Sequence, residues 1–238
     1  MKIHEVIGPT IQGEGKNAGK PVMFIRVARC NLACGYCDTP FTWNWIGTKF
    51  LHPDKYDPKQ EMHEVSIDSI LAKLQELSQT TKHIVVSGGE PLLQQNELTE
   101  LIRLVKEQGY FVEVETNGTI VPTDEFLGIV DQVNCSPKLS NSGSDNRPTM
   151  RERPKALKRL SQSEKTCFKF VVTSDDDMRE IVELIKKYNL QQVYLMAEGQ
   201  TKEEQESRQE QVQELAQRYG FSFSPRLHVL QWGNRRGV

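Results

Sequence analysis

Short apolar runs alternate along the chain with longer segments in which apolar residues recur every three or four positions. The runs have the length of strands buried on both faces, and the recurrence is that of helices with one apolar face. The predicted strands span residues 22–27, 83–86, 110–115, 129–138, 167–173 and 192–196. The predicted helices span residues 65–77, 92–108, 175–188 and 202–219. This alternation predicts an α/β fold with a parallel core sheet and a functional site at the carboxyl ends of the strands.

Two segments do not fit the alternation. Residues 40–63 contain Trp43, Trp45 and three turns next to proline but show no period. We expect an irregular insertion there, either a shield over a reactive centre or a loop held by its aromatic residues. Residues 139–155 are rich in Ser, Asn and Pro and predict a mobile loop. The 238 residues suffice for one α/β domain and are too few for two, so we expect a single domain over residues 1–238.

The composition restricts the partners. Lys and Arg number 30 against 32 Asp and Glu, a net charge of −2, so we expect no binding to nucleic acid or to an anionic membrane. No apolar run exceeds the length of a strand, so neither an export signal nor a membrane span is expected. The protein should then be cytoplasmic, where thiols stay reduced. Of its five cysteines, Cys135 and Cys167 lie in apolar contexts and are expected to be ordinary buried residues.

The other three cysteines, Cys30, Cys34 and Cys37, directly follow the first predicted strand. They are too close together to pair as disulfides and odd in number, which favours shared metal ligation. Structural zinc takes four protein ligands, and no second cysteine pair or histidine at finger spacing follows. Thiolates also hold iron–sulfur clusters, and three of them leave one iron of a cubane open to an added ligand. The spacing therefore favours an iron–sulfur cluster with a reactive iron over zinc.

Other segments also contain turns rich in small and polar residues. Residues 8–15 form a glycine-rich turn with one carboxylate, residues 87–91 place a glycine pair at a strand end, and residues 115–119 form another turn. Glycine allows the backbone to approach a small molecule closely, and parallel sheets bind ligands at these strand ends. Without the cysteines upstream, each could be a turn with no ligand.

These motifs resemble those of known enzymes. The CxxxCxxC spacing with Tyr36 before the last cysteine resembles the cluster-binding loop of the radical S-adenosylmethionine (SAM) superfamily, and Gly-Gly-Glu-Pro at 88–91 resembles its SAM-binding element. Residues 11–15, 24–26 and 37–39 resemble the LQGEG, FIR and CDT motifs of the 7-carboxy-7-deazaguanine synthase (QueE) family, with Ile11 in the leucine position. The tail, residues 227–238, resembles the LHxLxWGNxRGV of some members. The resemblance covers the chain from end to end except for residues 40–63 and 139–155.

The resemblance implies a partial (βα) barrel, which the residue pattern alone does not distinguish from an open doubly wound sheet. It implies a [4Fe–4S] cluster, SAM and Mg²⁺ as cofactors. A one-electron donor would reduce the cluster, SAM would be cleaved to methionine and a 5′-deoxyadenosyl radical, and that radical would take a hydrogen from 6-carboxy-5,6,7,8-tetrahydropterin. Ring contraction with loss of ammonia would give 7-carboxy-7-deazaguanine, a queuosine precursor. The expected partners of this lyase are the pterin substrate, a flavodoxin- or ferredoxin-like electron donor, and a second copy in a homodimer.

The resemblance also implies roles for individual residues. Cys30, Cys34 and Cys37 would hold the cluster, and Thr39 would be a ligand of Mg²⁺. The residues implied at SAM are Tyr36, Cys37, Asp38, Gly89, Ser136, Lys138 and Lys169. The residues implied at the substrate are Ile11, Gln12, Gly13, Glu14, Arg26, Ser87, Glu90, Glu115, Asn117 and His228. Arg26 would pair with the substrate carboxylate, since a guanidinium matches a carboxylate in two parallel bonds.

Some alternatives stay open at this point. Arg26 could be a strand residue paired with a nearby Glu, and His228 could be an ordinary buried histidine. Six basic residues within 147–159 could contact nucleic acid, although a solvated lid or a docking face for an acidic electron donor is favoured because no aromatic residues are interleaved. The chain could also be a radical SAM activase that makes a glycyl radical on another protein, or a non-enzymatic electron-transfer or zinc-binding module.

Overall fold

Strands and helices alternate along most of the chain in the computed structural model, which describes residues 1–237; Val238, the last residue of the tail motif, lies outside the described residues. The strands are β1 (Lys2–Ile11), β2 (Pro21–Val27), β3 (His63–Glu64), β4 (His83–Gly88), β5 (Phe111–Thr116), β6 (Gln132–Cys135), β7 (Thr166–Val172), β8 (Val193–Ala197) and β9 (Ser222–Phe223). The α-helices are α1 (Pro58–Glu61), α2 (Ile67–Leu77), α3 (Gln95–Glu107), α4 (Asp124–Ile129), α5 (Pro148–Arg151), α6 (Pro154–Ser161), α7 (Asp177–Tyr188), α8 (Lys202–Tyr219) and α9 (Leu227–Trp232). Short 3₁₀ segments cover Gly15–Asn17, Pro40–Thr42, Pro91–Gln94 and Ser140–Ser142. None of the helices within residues 1–237 is both long and apolar enough to cross a membrane.

The strands form one sheet in the order β3-β1-β2-β4-β5-β6-β7-β8-β9. β1 runs antiparallel to β2 and to β3, and all pairs from β2 to β9 are parallel. This arrangement confirms the predicted α/β fold with a parallel core sheet. Because the parallel strands point the same way, the loops that follow them lie side by side at one edge of the sheet.

The two faces of the sheet differ in polarity. On β5, Val112 and Val114 belong to the main apolar core, whereas Glu113 between them points to the other face and is fully buried. β7 repeats this pattern, with Phe168 and Phe170 in the core and Lys169 on the opposite face. The helices therefore pack on an apolar face, and the concave interior of the sheet is polar.

Contacts between the two ends of the sheet show that it curves strongly. The amide of Gly15, just after β1, donates to Ser224 Oγ at 2.7 Å, and the amide of Leu227 donates to the carbonyl of Gly13 at 3.0 Å. Seven strand spacings separate β1 from β9 in the sheet order, which would be about 34 Å in a flat sheet. The loops after these strands meet because the sheet closes part of a barrel, as the family resemblance implies.

Side chains at the helix starts set the boundaries of the predicted helices. Ser66 accepts a hydrogen bond from the amide of Ser69, so α2 begins at Ile67 and not at residue 65. Thr201 and Glu204 form a reciprocal capping box at the start of α8, whose bounds match the prediction. The helix predicted over 92–108 begins as a 3₁₀ segment and becomes α-helical only at Gln95.

Several elements were missed. β1 was interpreted as part of a glycine-rich turn, but an antiparallel strand can hold Pro9 because its pairing with β2 is irregular between Ile7 and Thr10. The strand predicted over 129–138 is wrong at both ends: α4, capped by Thr123, occupies its start, and β6 ends at Cys135.

Residues 139–155 are more ordered than predicted. They contain a 3₁₀ segment, α5 and the start of α6, and their buried Ser142 and Asn146 hold the cysteine loop, residues 30–39. Ser142 accepts from the amide of Gly35 at 2.9 Å, and Asn146 accepts from the amide of Ala33 at 2.8 Å. The segment therefore contains secondary structure where the sequence predicted a mobile loop, because its buried Ser142 and Asn146 bond to the cysteine loop.

Candidate active site

The three cysteines of the cysteine loop line one cavity of about 230 Å³ at the carboxyl ends of the strands. Cys30, Cys34 and Cys37 are free thiols, as are the buried Cys135 and Cys167 on β6 and β7. Burial raises the pKa of the Cys30 and Cys34 thiols and raises that of Cys37 to about 11. Thiolates at these positions therefore need a cationic partner such as iron.

The surroundings of the three sulfurs fit an iron–sulfur cluster. Trp43 Nε1 lies 3.2 Å from Cys37 Sγ, and Asn146 Nδ2 lies 3.2 Å from Cys34 Sγ. Cys30 Sγ is 3.8 Å from Asn117 Nδ2. Three soft thiolates with N–H donors around them are the ligand set that holds such clusters.

The cysteine loop packs against the turn after β4 through glycine. A Cβ atom at Gly89 would lie 1.8 Å from the carbonyl oxygen of Arg29, and Gly88 has a φ of +109°. The amide of Glu90 donates to the same Arg29 carbonyl at 2.8 Å. The glycine pair is thus required to bring the strand end against the first cysteine.

Five charged or ionisable residues form an ionic group on the cavity wall. Lys169 Nζ lies 3.0 Å from Glu14 Oε2, Arg226 Nε lies 3.0 Å from Glu14 Oε1, and Arg226 also pairs with Asp38. His228 Nε2 is 3.9 Å from both carboxylates. Burial opposes ionisation of Glu14, but Lys169 and Arg226 outweigh it and lower the pKa of Glu14 to about 2. Glu14 is therefore an anion held between two cations.

The carboxylates of Glu14 and Asp38 and the ring of His228 offer ligand atoms within 4.8 Å of one another. Arg226 already pairs with both carboxylates, so its guanidinium would repel a metal cation placed between them. Gly13 lets His228 approach, because a Cβ at this position would lie 2.0 Å from His228 Nδ1. The arrangement suits a polar organic ligand better than a metal ion.

Beneath this ionic group lies a buried polar network centred on Glu113. Its carboxylate accepts hydrogen bonds from Gln12, Asn134 and Asn17, the last at 2.6 Å, and lies 3.2 Å from His83 Nε2. Burial opposes the charge, but His83, Asn17 and the charge of Lys169 outweigh burial and lower the pKa of Glu113. The side chain of Gln12 is thereby fixed against β5, which in turn fixes the turn that carries Gly13 and Glu14.

The predicted site residues nearly all meet at this cavity. Those that line it are Ile11, Gln12, Gly13, Glu14, Arg26, Cys30, Cys34, Tyr36, Cys37, Asp38, Thr39, Ser87, Gly89, Glu115, Asn117, Ser136, Lys138, Lys169 and His228. Glu90 does not line the cavity. It is fully buried and accepts from the amides of Leu92 and Asn117 and from Thr116 Oγ1, so it supports the turn after β5.

Other lining residues were not anticipated. These residues are Arg226, Glu198 and Met196; Trp43 also lines the wall but belongs to the 40–63 segment, for which a shield over the centre was one of the two expectations. Arg226 lies next to the recognised tail motif, which is the signal that could have pointed to it. Arg26 lines the cavity but also donates to Glu5 Oε1 at 2.9 Å, so the alternative of an ion pair with a nearby Glu is realised in this state.

Comparisons with known proteins find relatives of this chain. Residues 24–141 match the family profile described as the Radical SAM superfamily. A 7-carboxy-7-deazaguanine synthase of Pyrobaculum aerophilum is 36% identical over 233 residues, covering 96% of this chain and 93% of the relative. One of Bacillus subtilis is 28% identical over 253 residues, covering 100% and 98%. The crystal structure of QueE from Escherichia coli has the same fold, with a TM-score of 0.70 at 24% identity and coverage of 94% of this chain and 92% of that one.

The curved parallel sheet, with three cysteines at CxxxCxxC spacing above its carboxyl edge, defines a radical SAM enzyme that uses a [4Fe–4S] cluster and SAM. This excludes the zinc-binding and purely electron-transferring alternatives. The chain belongs to the 7-carboxy-7-deazaguanine synthase family. It is a radical SAM lyase of queuosine biosynthesis, which confirms the predicted family and enzyme class.

Proposed function

We propose that this chain converts 6-carboxy-5,6,7,8-tetrahydropterin to 7-carboxy-7-deazaguanine with loss of ammonia. The observation that carries the proposal is one cavity lined both by the three free cysteines and by the Glu14–Lys169–Arg226 ionic group. When bound, the cluster and SAM supply the radical that takes a hydrogen from the substrate. The protein itself binds and orients the substrate and SAM and excludes water from the cavity.

At the cluster side of the cavity we assign Cys30, Cys34 and Cys37 to iron. The residues that the family resemblance implies at SAM are Tyr36, Cys37, Asp38, Gly89, Ser136, Lys138 and Lys169. Ser136 and Lys138 support this role because Lys138 Nζ lies 2.8 Å from Ser136 Oγ on the strand end beside the cysteine loop. For Lys169 the contacts favour the substrate side, since its ammonium lies 2.6 Å from Glu115 and 3.0 Å from Glu14.

The substrate side of the cavity has both positively and negatively charged side chains. A carboxylate of the pterin would be held by Arg26, which exchanges Glu5 for the ligand, and the polar ring edge would face Glu14, Glu115, Asn117 and His228. The residues proposed to surround the substrate are Ile11, Gln12, Gly13, Glu14, Arg26, Ser87, Glu115, Asn117 and His228, with Glu90 acting from behind through Asn117. Glu14 stays deprotonated near neutral pH because its pKa is about 2, so it accepts hydrogen bonds from ring N–H groups.

Mg²⁺, the electron donor and the oligomeric state complete the proposal. Thr39 lines the cavity beside Cys37, and its hydroxyl donates to the carbonyl of Gly88 at 3.2 Å, so an ion there would take its other ligands from substrate and water. Reduction of the cluster would come from a flavodoxin- or ferredoxin-like protein, and the enzyme would act as a homodimer in the cytoplasm, where free thiols persist. Sedimentation of the reconstituted enzyme tests the dimer.

The test is an anaerobic incubation of reconstituted protein with SAM, a reductant and 6-carboxy-5,6,7,8-tetrahydropterin, followed by mass spectrometry. We expect 7-carboxy-7-deazaguanine and ammonia in amounts that exceed the SAM consumed, because substrate and product differ by ammonia alone and the abstracted hydrogen must return. SAM cleavage without any deazaguanine product, with the cluster intact, would show that the substrate assignment is wrong. Omitting Mg²⁺ in a parallel reaction tests the metal.

Arg26→Ala should separate SAM cleavage from substrate binding. We expect KM for the pterin to rise about ten- to a hundredfold, the effect of losing one charge-assisted hydrogen-bonded pair, while SAM cleavage without pterin continues at the wild-type rate. Arg26→Lys keeps the charge but loses the planar fork, so its KM should fall between the two. Steady-state kinetics of the three proteins measure this, and an unchanged KM in Arg26→Ala would contradict the role of Arg26.

A further inference from the structure

Each sulfur of the cysteine loop faces an N–H group from outside that loop. Trp43 comes from the 40–63 insertion, Asn146 from the 139–155 segment and Asn117 from the turn after β5. Two of these segments are those that the family resemblance did not cover. From the sequence, neither segment was expected to contact the sulfurs of the cysteine loop.

The hydrogen-bond network fixes which atom faces each sulfur. An indole nitrogen can only donate, so Trp43 Nε1 has one possible role toward Cys37. The Oδ1 atom of Asn146 accepts from the amide of Ala33 at 2.8 Å, which turns its NH₂ group toward Cys34. In the same way, Oδ1 of Asn117 accepts from the amide of Thr119 at 3.0 Å. All three groups therefore present hydrogen atoms to sulfur.

Packing holds the Trp43 donor in place and keeps water away from it. The Trp43 side chain is buried, with Phe50 and His52 edge-on to it at ring-centroid distances of 5.6 and 6.0 Å. His52 is itself buried, and its Nε2 lies 3.3 Å from the carbonyl oxygen of Cys37. Electrostatic interactions are stronger in such a dry setting than in water.

We propose that these N–H groups, and Trp43 most of all, raise the reduction potential of the cluster. On reduction by a one-electron donor the cluster gains one negative charge, which the thiolate sulfurs share. An N–H dipole with its positive end toward sulfur stabilises the reduced form more than the oxidised form. The insertion would thus make the cluster easier to reduce, beyond any shielding of the site.

The test compares Trp43→Phe with wild type and with Trp45→Phe. Phenylalanine keeps an aromatic ring against Phe50 and His52 but has no donor. Trp45 lies two positions further on, is half-buried and forms a backbone bridge with Tyr56, so its replacement is a matched control. Each protein is reconstituted anaerobically and titrated with dithionite and redox mediators, without SAM or pterin, while electron paramagnetic resonance measures the reduced cluster.

We expect the ratio of reduced to oxidised cluster at a fixed potential to fall about tenfold in Trp43→Phe, which corresponds to about 59 mV for a one-electron couple. Trp45→Phe should match wild type. Asn146→Asp keeps the acceptor for Ala33 but places an oxygen against Cys34, so it should shift the potential in the same direction.

Unchanged potentials in both Trp43→Phe and Asn146→Asp would overturn the inference. So would loss of the cluster from Trp43→Phe alone, since Trp43 would then serve assembly and not potential. The inference rests on the proposed function only through the presence of the cluster. The titration contains no pterin. If the wild-type enzyme made no deazaguanine, the proposed substrate would be wrong, but the measured reduction potentials would still test the role of Trp43.

Discussion

Cys34→Ala is expected to lose the iron–sulfur cluster and all turnover. Cys34 is one of three thiols on the cavity, and its sulfur lies 3.2 Å from Asn146 Nδ2, an N–H donor that cannot replace the missing ligand. Without the cluster, nothing in the cavity can supply the radical chemistry. Iron and sulfide analysis of the reconstituted protein measures the first effect, and the deazaguanine assay measures the second.

Cys135→Ala is the matched control for this change. Cys135 is also a buried free thiol, but it lies on β6 within the main apolar core and does not line the cavity. Its variant should keep the iron content and spectrum of wild type. If Cys34→Ala still carried a cluster that cleaves SAM, the assignment of the three ligands would have to be abandoned.

Lys169→Met is expected to have the largest effect on stability outside the cysteine loop. The side chain of Lys169 is 1% exposed and its ammonium lies within 3.0 Å of Glu14 and Glu115. Burial alone would lower the pKa of Lys169, but the two carboxylates outweigh burial and raise it, so the residue is a buried cation. Removing one member of a buried ion pair leaves the other unpaired, at a cost of about 3–5 kcal/mol. Urea unfolding of the cluster-free protein measures this free energy.

The same change should also abolish product formation, because Glu115 would lose its cation and Glu14 would keep only Arg226, beside a ligand that carries its own carboxylate. Lys187→Met provides a comparison, since Lys187 pairs with Glu152 at 2.6 Å but is 60% exposed. Exposed pairs of this kind contribute little, so its unfolding curve should follow that of wild type. Equal stability of wild type and Lys169→Met would show that Lys169 is not held as a charged group.

The sequence predicted the parallel core and much of the cavity because both depend on local patterns. Residues 22–27 are apolar enough to form a buried strand at any position in a sheet. The cysteine loop follows them directly in the sequence, so it begins at the end of that strand. The same reasoning placed Gly89 and Asn117 at the ends of β4 and β5, on the same edge. The carboxyl ends of parallel strands lie at one edge of the sheet. That residues at these ends lie close together can therefore be predicted without knowing the tertiary fold.

The pairing of Glu14 with Arg226 could not be predicted this way. These residues are 212 positions apart, and their contact depends on how far the sheet curves, which no local pattern encodes. Glu113 is a different case. Its alternation with Val112 and Val114 indicates that it faces away from the apolar core. Its burial could not be predicted, because four hydrogen-bonding side chains from other segments surround its carboxylate. Glu90 was predicted to line the site, because a sequence motif does not show which of its side chains faces the cavity and which is buried behind it.

The meeting of the turn after β1 with the segment after β9 also affects the order in which the nascent polypeptide matures. Ribosomes deliver the cysteines early and Ser224, Arg226 and Leu227 near the end, yet these late residues bond to Gly13, Glu14 and Gly15. Until the segment after β9 docks, these three contacts are unmade, and this side of the half-formed barrel stays open.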